Sequence, residues 1–350
     1  MFYKNFAKPF LFLKDPESAH EAGVNMAKLA SNSSFFASLT RTIYGSSNKG
    51  LGQEFFGLRF PNPVGLAAGF DKNGETPLAM QSLGFGFVEV GSITAKAATG
   101  NPKPRAFRLP HDESLINRMG LNNQGADVII PRLKKLQLNI PLGVNIAKTN
   151  DMSIHGEAAV QDYVYSYELA KEVADYITVN ISCPNTGEGK TFEDPDALEE
   201  LLTALKIQEA NRVPTLVKFS VDTDKSTLEK LVEISERHGI AGYLATNTSS
   251  LRSGLKTNEA TLSKIGNGGL SGKAISQKST EVVSWLHEMI GTTKPIIGVG
   301  GIDSVEEAIK KMEAGASLIQ IYTGLIYQGP GLVKTIKKGL KEWDFPISGS

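Results

Sequence analysis

The sequence has 350 residues, 37 basic and 37 acidic side chains, and a formal net charge of zero. Its hydrophobic fraction of 41% is typical of a globular chain that buries a sizeable core. The balanced charge argues against nucleic acid as a partner, because such proteins gather phosphates with a positive field. A single cysteine excludes an internal disulfide framework and a cysteine-ligated zinc or iron–sulfur centre.

Residues 1–45 are rich in aromatic side chains, holding eight of a total that comprises 16 Phe, 9 Tyr and 2 Trp. Asp15-Pro16 is typical of a helix start and predicts a helix to about Ala30, and Phe35 to Tyr44 predicts a second short helix. Two small helices cannot bury so many rings by themselves. The segment is therefore either a cap packed on the main domain or an interfacial hairpin in which Lys4, Lys8 and Lys14 face anionic lipid.

The chain has no uninterrupted run of about 18 apolar residues, so no membrane-spanning helix is predicted. We also find neither the apolar core of a secretory signal nor the Arg-rich start of a transit peptide. We therefore expect a bacterial cytoplasmic location.

Beyond residue 46, short apolar runs alternate with helical patterns. Eight runs predict parallel strands that are covered on both faces: Pro63–Ala67, Phe87–Val90, Gly143–Ile146, Ile177–Ile181, Leu216–Phe219, Gly242–Thr246, Pro295–Val299 and Leu318–Tyr322. Ser304 and Glu307 form a capping box at the start of one clear helix. Eight such units predict an α/β fold, a (β/α)₈ TIM barrel over residues 46–350, because the first turn, GFDKNG, lacks the glycine pattern of an open dinucleotide-binding sheet.

Polar residues at the predicted strand ends mark the candidate site, since the carboxyl ends of barrel strands carry the active site. Lys218 lies inside an apolar strand and predicts an anionic partner, because burying a lone charge is costly. Gly300-Gly301 and Gly324 follow the seventh and eighth strands, where barrels bind phosphate, so a phosphorylated cofactor is expected. The loops at residues 93–140 and between the sixth and seventh strands are longer than usual, which indicates function.

Several asparagines are predicted to converge on this end of the barrel. They are Asn117, Asn145, Asn180, Asn185 and Asn247. Their amides suit a flat ring whose edge alternates carbonyl and N–H groups. The five histidines are scattered without ligand spacing, so no metal is expected.

Cys183 lies in a polar loop, Ser182-Cys183-Pro184-Asn185. A buried free cysteine is ordinarily inert packing, but this loop favours a chemical role. Its reference pKa is near 8.5, so the side chain could accept a proton at neutral pH if its neighbours favour the thiolate. It could also be a nucleophile, although the motif has no adjacent histidine.

The motifs AAGFDKNG, EVGSIT, NPKPRAFRL, INRMGLNNQG, NISCPNT, ATNT, GGLSG, IIGVGGIDS and QIYTG occur in this order. Together they resemble dihydroorotate dehydrogenase over essentially the whole chain. The DPESAHE segment resembles the membrane-associated, quinone-reducing class, which builds a small two-helix domain over a tunnel to FMN. The resemblance thus favours the interfacial interpretation of residues 1–45 and a peripheral position on the cytoplasmic side of the bacterial membrane, and we expect a monomer.

The resemblance implies three sets of site residues. Those expected at FMN are Ala68, Gly69, Lys72, Ser92, Asn145, Asn180, Lys218, Thr246, Gly272, Gly301, Tyr322 and Thr323. Those expected at dihydroorotate are Lys72, Asn117, Arg118, Met119, Gly120, Leu121, Asn180, Asn185, Asn247 and Thr248. Those expected at the quinone are His20, Arg108 and Tyr322.

The implied reaction is removal of a proton from C5 of dihydroorotate by Cys183 and transfer of hydride from C6 to the flavin, which gives orotate in pyrimidine biosynthesis. One position departs from the pattern, because the quinone-reducing class typically carries Ser as the base. Two alternatives stay open: a soluble type that reduces fumarate, with residues 1–45 as a cap, and a non-catalytic membrane-surface protein on a barrel scaffold.

Overall fold

The computed structural model describes residues 3–31, 33–182, 192–208 and 213–343. Two residues expected at the site, Cys183 and Asn185, lie outside these residues.

Eight parallel strands form a closed barrel in chain order, and the eighth strand pairs with the first. The strands are Val64–Leu66, Phe87–Ile93, Leu142–Ile146, Tyr176–Asn180, Thr215–Phe219, Gly242–Ala245, Ile296–Val299 and Leu318–Ile321. Most of their residues are fully buried, as the continuous apolar runs predict for strands covered by helices. All eight predicted strands are confirmed to within two residues at each end except the second, which continues to Ile93.

Helices cover the outside of the barrel. They are Pro77–Ser82, Ala126–Leu133, Glu157–Ala170, Pro195–Leu205, Lys225–Arg237, Ser276–Ile290, Val305–Glu313 and Leu332–Glu342, with shorter helices at Glu259–Ile265 and Thr323–Gln328. Ser304 caps its helix as predicted, since its hydroxyl accepts from the Glu307 backbone N–H. The predicted TIM barrel is therefore confirmed.

Two smaller sheets close the ends of the barrel. An antiparallel hairpin, Gln53–Phe55 with Leu58–Phe60, packs its phenylalanines against the first residues of the barrel strands. At the opposite end, Ala106–Leu109, Ser114–Asn117 and Gly269–Gly272 form a three-stranded antiparallel sheet. This sheet joins the two long loops, which the sequence marks as separate insertions.

The N-terminal segment forms helices at Lys8–Leu13, Pro16–Ser31 and Ser34–Tyr44. The second and third confirm the two predicted helices, whereas the first, which follows a π-helical turn at Tyr3–Ala7, is not predicted. Among the residues that the structure describes, no helix combines the length and apolar character needed to cross a bilayer.

Candidate functional site

One cavity of about 620 Å³ joins the carboxyl ends of the barrel strands to the space beneath the N-terminal helices. Its barrel wall contains many of the residues singled out in the sequence: Ala68, Gly69, Lys72, Ser92, Asn117, Met119, Gly120, Leu121, Asn180, Lys218, Asn247, Thr248 and Tyr322. We call the polar end of this cavity, at the barrel strands, its floor, and the apolar end, beneath the N-terminal helices, its roof. Floor and roof belong to one continuous space.

The loop after the first strand holds Lys72 at this cavity. Buried Asp71 pins the loop, because its carboxylate accepts from the backbone N–H of Glu75 (3.0 Å) and Thr76 (2.7 Å). Lys72 Nζ donates to the Gly69 carbonyl at 2.9 Å. Burial lowers the pKa of Lys72 to about 8, although the neighbouring Asp71 favours the ammonium. At neutral pH the cavity thus contains a Lys72 side chain that is mostly in the ammonium form, which suits an anionic ligand.

A chain of amides and hydroxyls forms the polar floor. Ser92 Oγ donates to Asn145 Oδ1 at 2.5 Å and accepts from Asn180 Nδ2 at 3.2 Å. Asn247 Nδ2 donates to the Ser182 carbonyl at 3.1 Å. Asn145 is fully buried beneath Ser92 and does not line the cavity itself. Asn117 lies on the three-stranded sheet, where its Nδ2 donates to the Gly269 carbonyl at 3.4 Å.

Lys218 is 5% exposed in the fifth barrel strand, opposite Asn180 of the fourth. Its side chain nevertheless lines the cavity. A buried ammonium at a cavity wall favours a ligand that carries or develops negative charge.

The loop after the seventh strand approaches the start of the 15-residue helix Ser276–Ile290. Gly300 and Gly301 have φ values of 117° and 74°, which side-chain-bearing residues rarely adopt. A Cβ at Gly301 would lie 2.8 Å from the Ser276 backbone nitrogen. Gly272, with φ of 97°, would likewise place a Cβ 2.9 Å from Thr323 Cγ2. The close approach of Gly301 to a helix start suits a phosphate group.

Thr246, Gly272, Gly301 and Thr323 do not line the cavity in the described residues. Thr246 is 2% exposed, and its backbone N–H donates to the Val299 carbonyl at 2.8 Å. Ser271, absent from the sequence-based set, does line the cavity and shares a hydrogen bond of 3.0 Å with Thr323 Oγ1.

The apolar roof is one face of the helix Pro16–Ser31. Its small residues Ala19, Gly23, Ala27 and Ala30 line the cavity, together with Met26. Their spacing of three and four residues places them on one helical face. Met26 is 70% exposed, so this face reaches the outer mouth of the cavity. Small side chains here leave open space that larger ones would fill.

An aromatic cluster separates the roof from the floor. The rings of His20 and Phe70 lie 5.2 Å apart, and those of Phe70 and Tyr322 lie 5.6 Å apart. Burial, reinforced by the charge on Lys72, lowers the pKa of His20 to about 3. Burial also raises the pKa of Tyr322 to about 12. Both side chains are therefore neutral at physiological pH.

Arg108 fixes the end of the first N-terminal helix. Its guanidinium donates to the carbonyls of Leu11 (3.2 Å) and Lys14 (2.8 Å) and lies 4.6 Å from the Phe12 ring centroid. Burial lowers the pKa of Arg108. Because a cation at a helix C-terminus binds its free carbonyls, Arg108 holds this helix against the cavity that both line.

A buried ion pair connects the N-terminal helices to the barrel loops. Arg105 Nη2 lies 2.7 Å from Glu17 Oε1, and the two side chains are 7% and 5% exposed. Burial would raise the pKa of Glu17, but the hydrogen bonds and charges of Arg105 and Lys103 outweigh it and lower this pKa. Arg105 Nη1 also donates to the carbonyls of Thr99 (2.7 Å) and Asn101 (2.9 Å). The pair therefore links the roof to the loop beside Asn117–Leu121.

The outer surface of the N-terminal helices is apolar. Nine of the 13 large hydrophobic side chains exposed in the described residues lie there: Phe6, Phe10, Leu13, Met26, Leu29, Phe35, Phe36, Leu39 and Ile43. We call these residues the apolar patch. Lys4 and Lys14 are exposed beside it, but Lys8 Nζ lies 5.1 Å from the Tyr327 ring centroid, so the expectation that Lys8 faces outward needs correction.

Two further residues differ from the sequence-based picture. Arg118 was expected at the substrate, but its guanidinium donates to the Asn267 and Pro104 carbonyls and stacks on Phe107, so it ties the loops together instead. Glu89, fully buried in the second strand, is not among the candidates that the sequence indicates. It carries the same signal as Lys218, a charge inside an apolar run.

The protein is a (β/α)₈ barrel whose cavity combines lysines and amides at the barrel end with small apolar side chains beneath the N-terminal helices. The family model of dihydroorotate dehydrogenase matches residues 50–343. This chain belongs to the dihydroorotate dehydrogenase family, whose members are flavin-dependent oxidoreductases.

Relatives and a solved structure agree with this assignment. The dihydroorotate dehydrogenase (quinone) of Christiangramia forsetii is 42% identical over 343 residues, which are 97% of this chain and 99% of the relative. That of Haloarcula marismortui is 41% identical over 339 residues, 97% of this chain and 94% of the relative. The crystal structure of DHODH from Eimeria tenella in complex with ferulenol has a TM-score of 0.81 at 34% identity and covers 94% of this chain and 91% of its own.

Proposed function

We propose that this chain oxidises dihydroorotate to orotate in pyrimidine biosynthesis and passes the electrons to a quinone. The observation that carries this proposal is that one continuous cavity joins a polar floor with two lysines to an apolar roof. We also propose that the working unit is a monomer. The close relatives named as quinone enzymes support the same acceptor.

FMN is the proposed cofactor, and the residues present fit it. Gly69 leaves the cavity wall open, since a Cβ there would only reach Tyr322 at 3.5 Å. Ser92 and Asn180 would hold the polar edge of the ring, and the backbone near Gly272 and Gly301 would hold the phosphate. Thr246, Asn145 and Thr323 would support this site from beneath. The chemistry that FMN supplies when bound is two-electron transfer between dihydroorotate and quinone.

The substrate would lie over the polar floor. Lys72 would pair with its carboxylate, while Asn117, Asn180, Asn247 and Thr248 would bind the amide edge of its ring. Met119, Gly120 and Leu121 would close the cavity beside it. Cys183 would take the proton from C5, with Asn185 nearby in the same loop. Lys218 would offset the negative charge that electron uptake places on the cofactor.

The quinone would enter between the N-terminal helices and stop at the aromatic cluster. His20 and Tyr322 are neutral there, so they can bind a quinone carbonyl without burying a charge beside it. Arg108 would shape this end of the tunnel by holding the helix Lys8–Leu13. We propose that residues 1–45 form this quinone-tunnel domain and residues 46–350 the FMN-binding barrel.

The test is the visible spectrum of the purified protein, followed by its reactivity. We expect a flavin spectrum that bleaches when dihydroorotate is added without oxygen and returns when a ubiquinone analogue is mixed in. Reoxidation by fumarate alone would instead support the soluble type. A colourless protein that FMN does not reconstitute would support a non-catalytic scaffold and remove the proposed function.

We further propose that the apolar patch places the protein on the cytoplasmic side of the membrane. Replacing both Phe10 and Leu13 with Glu should weaken binding to anionic vesicles by at least about 100-fold, because burying each such side chain contributes about 1.5–3 kcal/mol. Cosedimentation with phosphatidylglycerol vesicles measures the effect. Met152→Glu is the matched control, since Met152 is 72% exposed on the barrel. Equal binding of all three proteins would refute the docking surface.

The thiol at position 183 predicts the pH profile of flavin reduction. Cys183→Ser should shift the pH at which reduction becomes fast upward by at least about one unit, because a hydroxyl gives up its proton less readily than a thiol of reference pKa near 8.5. Anaerobic rapid mixing at saturating dihydroorotate measures the rate at each pH. Superimposable profiles for the two proteins would show that Cys183 is not the base.

A further inference from the structure

The interior of the barrel contains a carboxylate that the proposed reaction does not use. Glu89 is fully buried and accepts hydrogen bonds from four uncharged side chains of three other strands. The donors are Asn145 (2.9 Å), Gln320 (2.8 Å), Thr178 (3.1 Å) and Tyr176 (3.2 Å). A buried charge of this kind is a poor source of stability, because desolvation offsets much of what its partners contribute. A positional role is therefore the better explanation.

Glu89 is the last acceptor in the series of hydrogen bonds that forms the cavity floor. We call this series the hydrogen-bond chain. Asn145 donates its Nδ2 to Glu89 Oε1, and its Oδ1 accepts from Ser92 Oγ at 2.5 Å. Ser92 Oγ in turn accepts from Asn180 Nδ2 at 3.2 Å. The side-chain Oδ1 of Asn180 then accepts from Asn247 Nδ2 at 3.4 Å. Every link donates toward Glu89.

The direction of the hydrogen-bond chain follows from the carboxylate of Glu89 at its end. A carboxylate offers acceptors only, so Asn145 must turn its NH₂ group toward Glu89 and its oxygen toward Ser92. Ser92 must then donate its hydroxyl proton to Asn145, which leaves its lone pairs for the NH₂ group of Asn180. An asparagine amide has nearly the same shape when turned by half a revolution, so packing alone would not select one orientation.

We propose that Glu89 is a positioning residue that fixes the donor and acceptor orientation of Asn145, Ser92 and Asn180. This role rests on the proposed function, because Ser92 and Asn180 are its proposed cofactor and substrate contacts. The carboxylate acts through the chain and touches neither ligand. Its removal would let the amides of the floor sample both orientations, only one of which matches a given ring edge.

Glu89→Gln tests this inference, because glutamine keeps the shape and adds a donor. In the purified FMN-loaded enzyme, we expect the rate of flavin reduction at saturating dihydroorotate to fall at least about tenfold, and the orotate dissociation constant to rise about as much. Tyr176→Phe is the matched control, since it removes one donor to the same carboxylate but no link of the chain. Its rate should stay within about threefold of the wild type.

A double-mutant cycle with Ser92→Ala separates positioning from general damage. Because one break already interrupts the chain, the double variant should be no slower than the slower single variant, within about threefold. Losses that multiply would overturn the proposal, as would equal losses in Glu89→Gln and Tyr176→Phe. If Glu89→Gln does not fold, Asn145→Leu replaces it in the cycle, because three donors to Glu89 then remain. Losses that multiply, or a loss equal to that of Tyr176→Phe, would again overturn the proposal.

The same measurements distinguish this inference from the proposed function. A wild-type protein that dihydroorotate does not reduce would remove the function and the role of Glu89 with it. A wild type that is reduced, alongside a Glu89→Gln variant that is reduced equally fast, would remove only the role of Glu89.

Discussion

Lys72→Met should lower kcat/KM for dihydroorotate by roughly 30-fold to several thousandfold, because truncating one partner of a buried charge pair costs about 2–5 kcal/mol. Lys72 lines the floor of the cavity, and its loop is pinned by Asp71, so the ammonium has a defined position. Methionine keeps the length of the side chain and removes the charge. Steady-state kinetics and titration of the flavin spectrum with orotate measure the loss.

Lys96→Met is the control for this variant. Lys96 is an exposed lysine that follows the second strand at the same end of the barrel, outside the cavity lining. Its replacement should leave turnover unchanged. If both variants lost activity equally, the effect would come from overall charge, and the proposed carboxylate pair would be wrong.

The pKa of Lys72 predicts how orotate binding depends on pH. Burial lowers the pKa of Lys72 to about 8, so the ammonium is present below that pH and is lost as the pH rises through it. Orotate affinity in the wild type should therefore be constant near neutrality and fall above pH 8. In Lys72→Met this fall should be absent. His20 adds no change in this range, because its pKa is about 3.

Glu17→Ala should release the N-terminal helices from the barrel. Removing one partner of a buried ion pair costs about 3–5 kcal/mol, and here it would leave Arg105 buried without its carboxylate. We expect quinone turnover to fall at least about tenfold while flavin reduction by dihydroorotate changes little, because Arg105 keeps its backbone partners at Thr99 and Asn101. Hydrogen exchange over residues 16–31 and the two half-reactions measure the effect.

Lys28→Ala is the matched control for Glu17→Ala. Lys28 lies on the same helix and pairs with Glu75 at 2.6 Å, but it is 50% exposed, so the pair contributes at most about 1 kcal/mol. Its loss should leave hydrogen exchange and quinone turnover unchanged.

At acid pH, wild type and Glu17→Ala should no longer differ in hydrogen exchange over residues 16–31. The pKa of Glu17 is lowered in the folded protein, so its contribution is complete above the ordinary carboxyl pKa and is lost as the pH falls through the lowered value. A persistent difference at strongly acid pH would show that the carboxylate charge is not what docks the helix.

The eight barrel strands could be predicted because their signal is local. A strand covered on both faces is an uninterrupted apolar run, and the residue that follows it lies at the carboxyl edge in any parallel barrel. That rule predicts that Lys72, Ser92, Asn180 and Asn247 lie at the same end of the barrel, and all four line the cavity. The hairpin Gln53–Phe55 with Leu58–Phe60 was missed, since strands of three residues show no clear periodicity.

The contacts that organise the site join residues far apart in the chain, and these required the tertiary structure. The strands Ser114–Asn117 and Gly269–Gly272 pair across about 150 residues, and the Glu17–Arg105 pair spans 88. Arg118 shows the limit of motif reasoning, because its side chain leaves the cavity that its neighbours line. Residue types and strand periodicity set which groups reach the mouth of the barrel. Packing set which of them touch, because a contact depends on how whole elements are arranged and not on the residues alone.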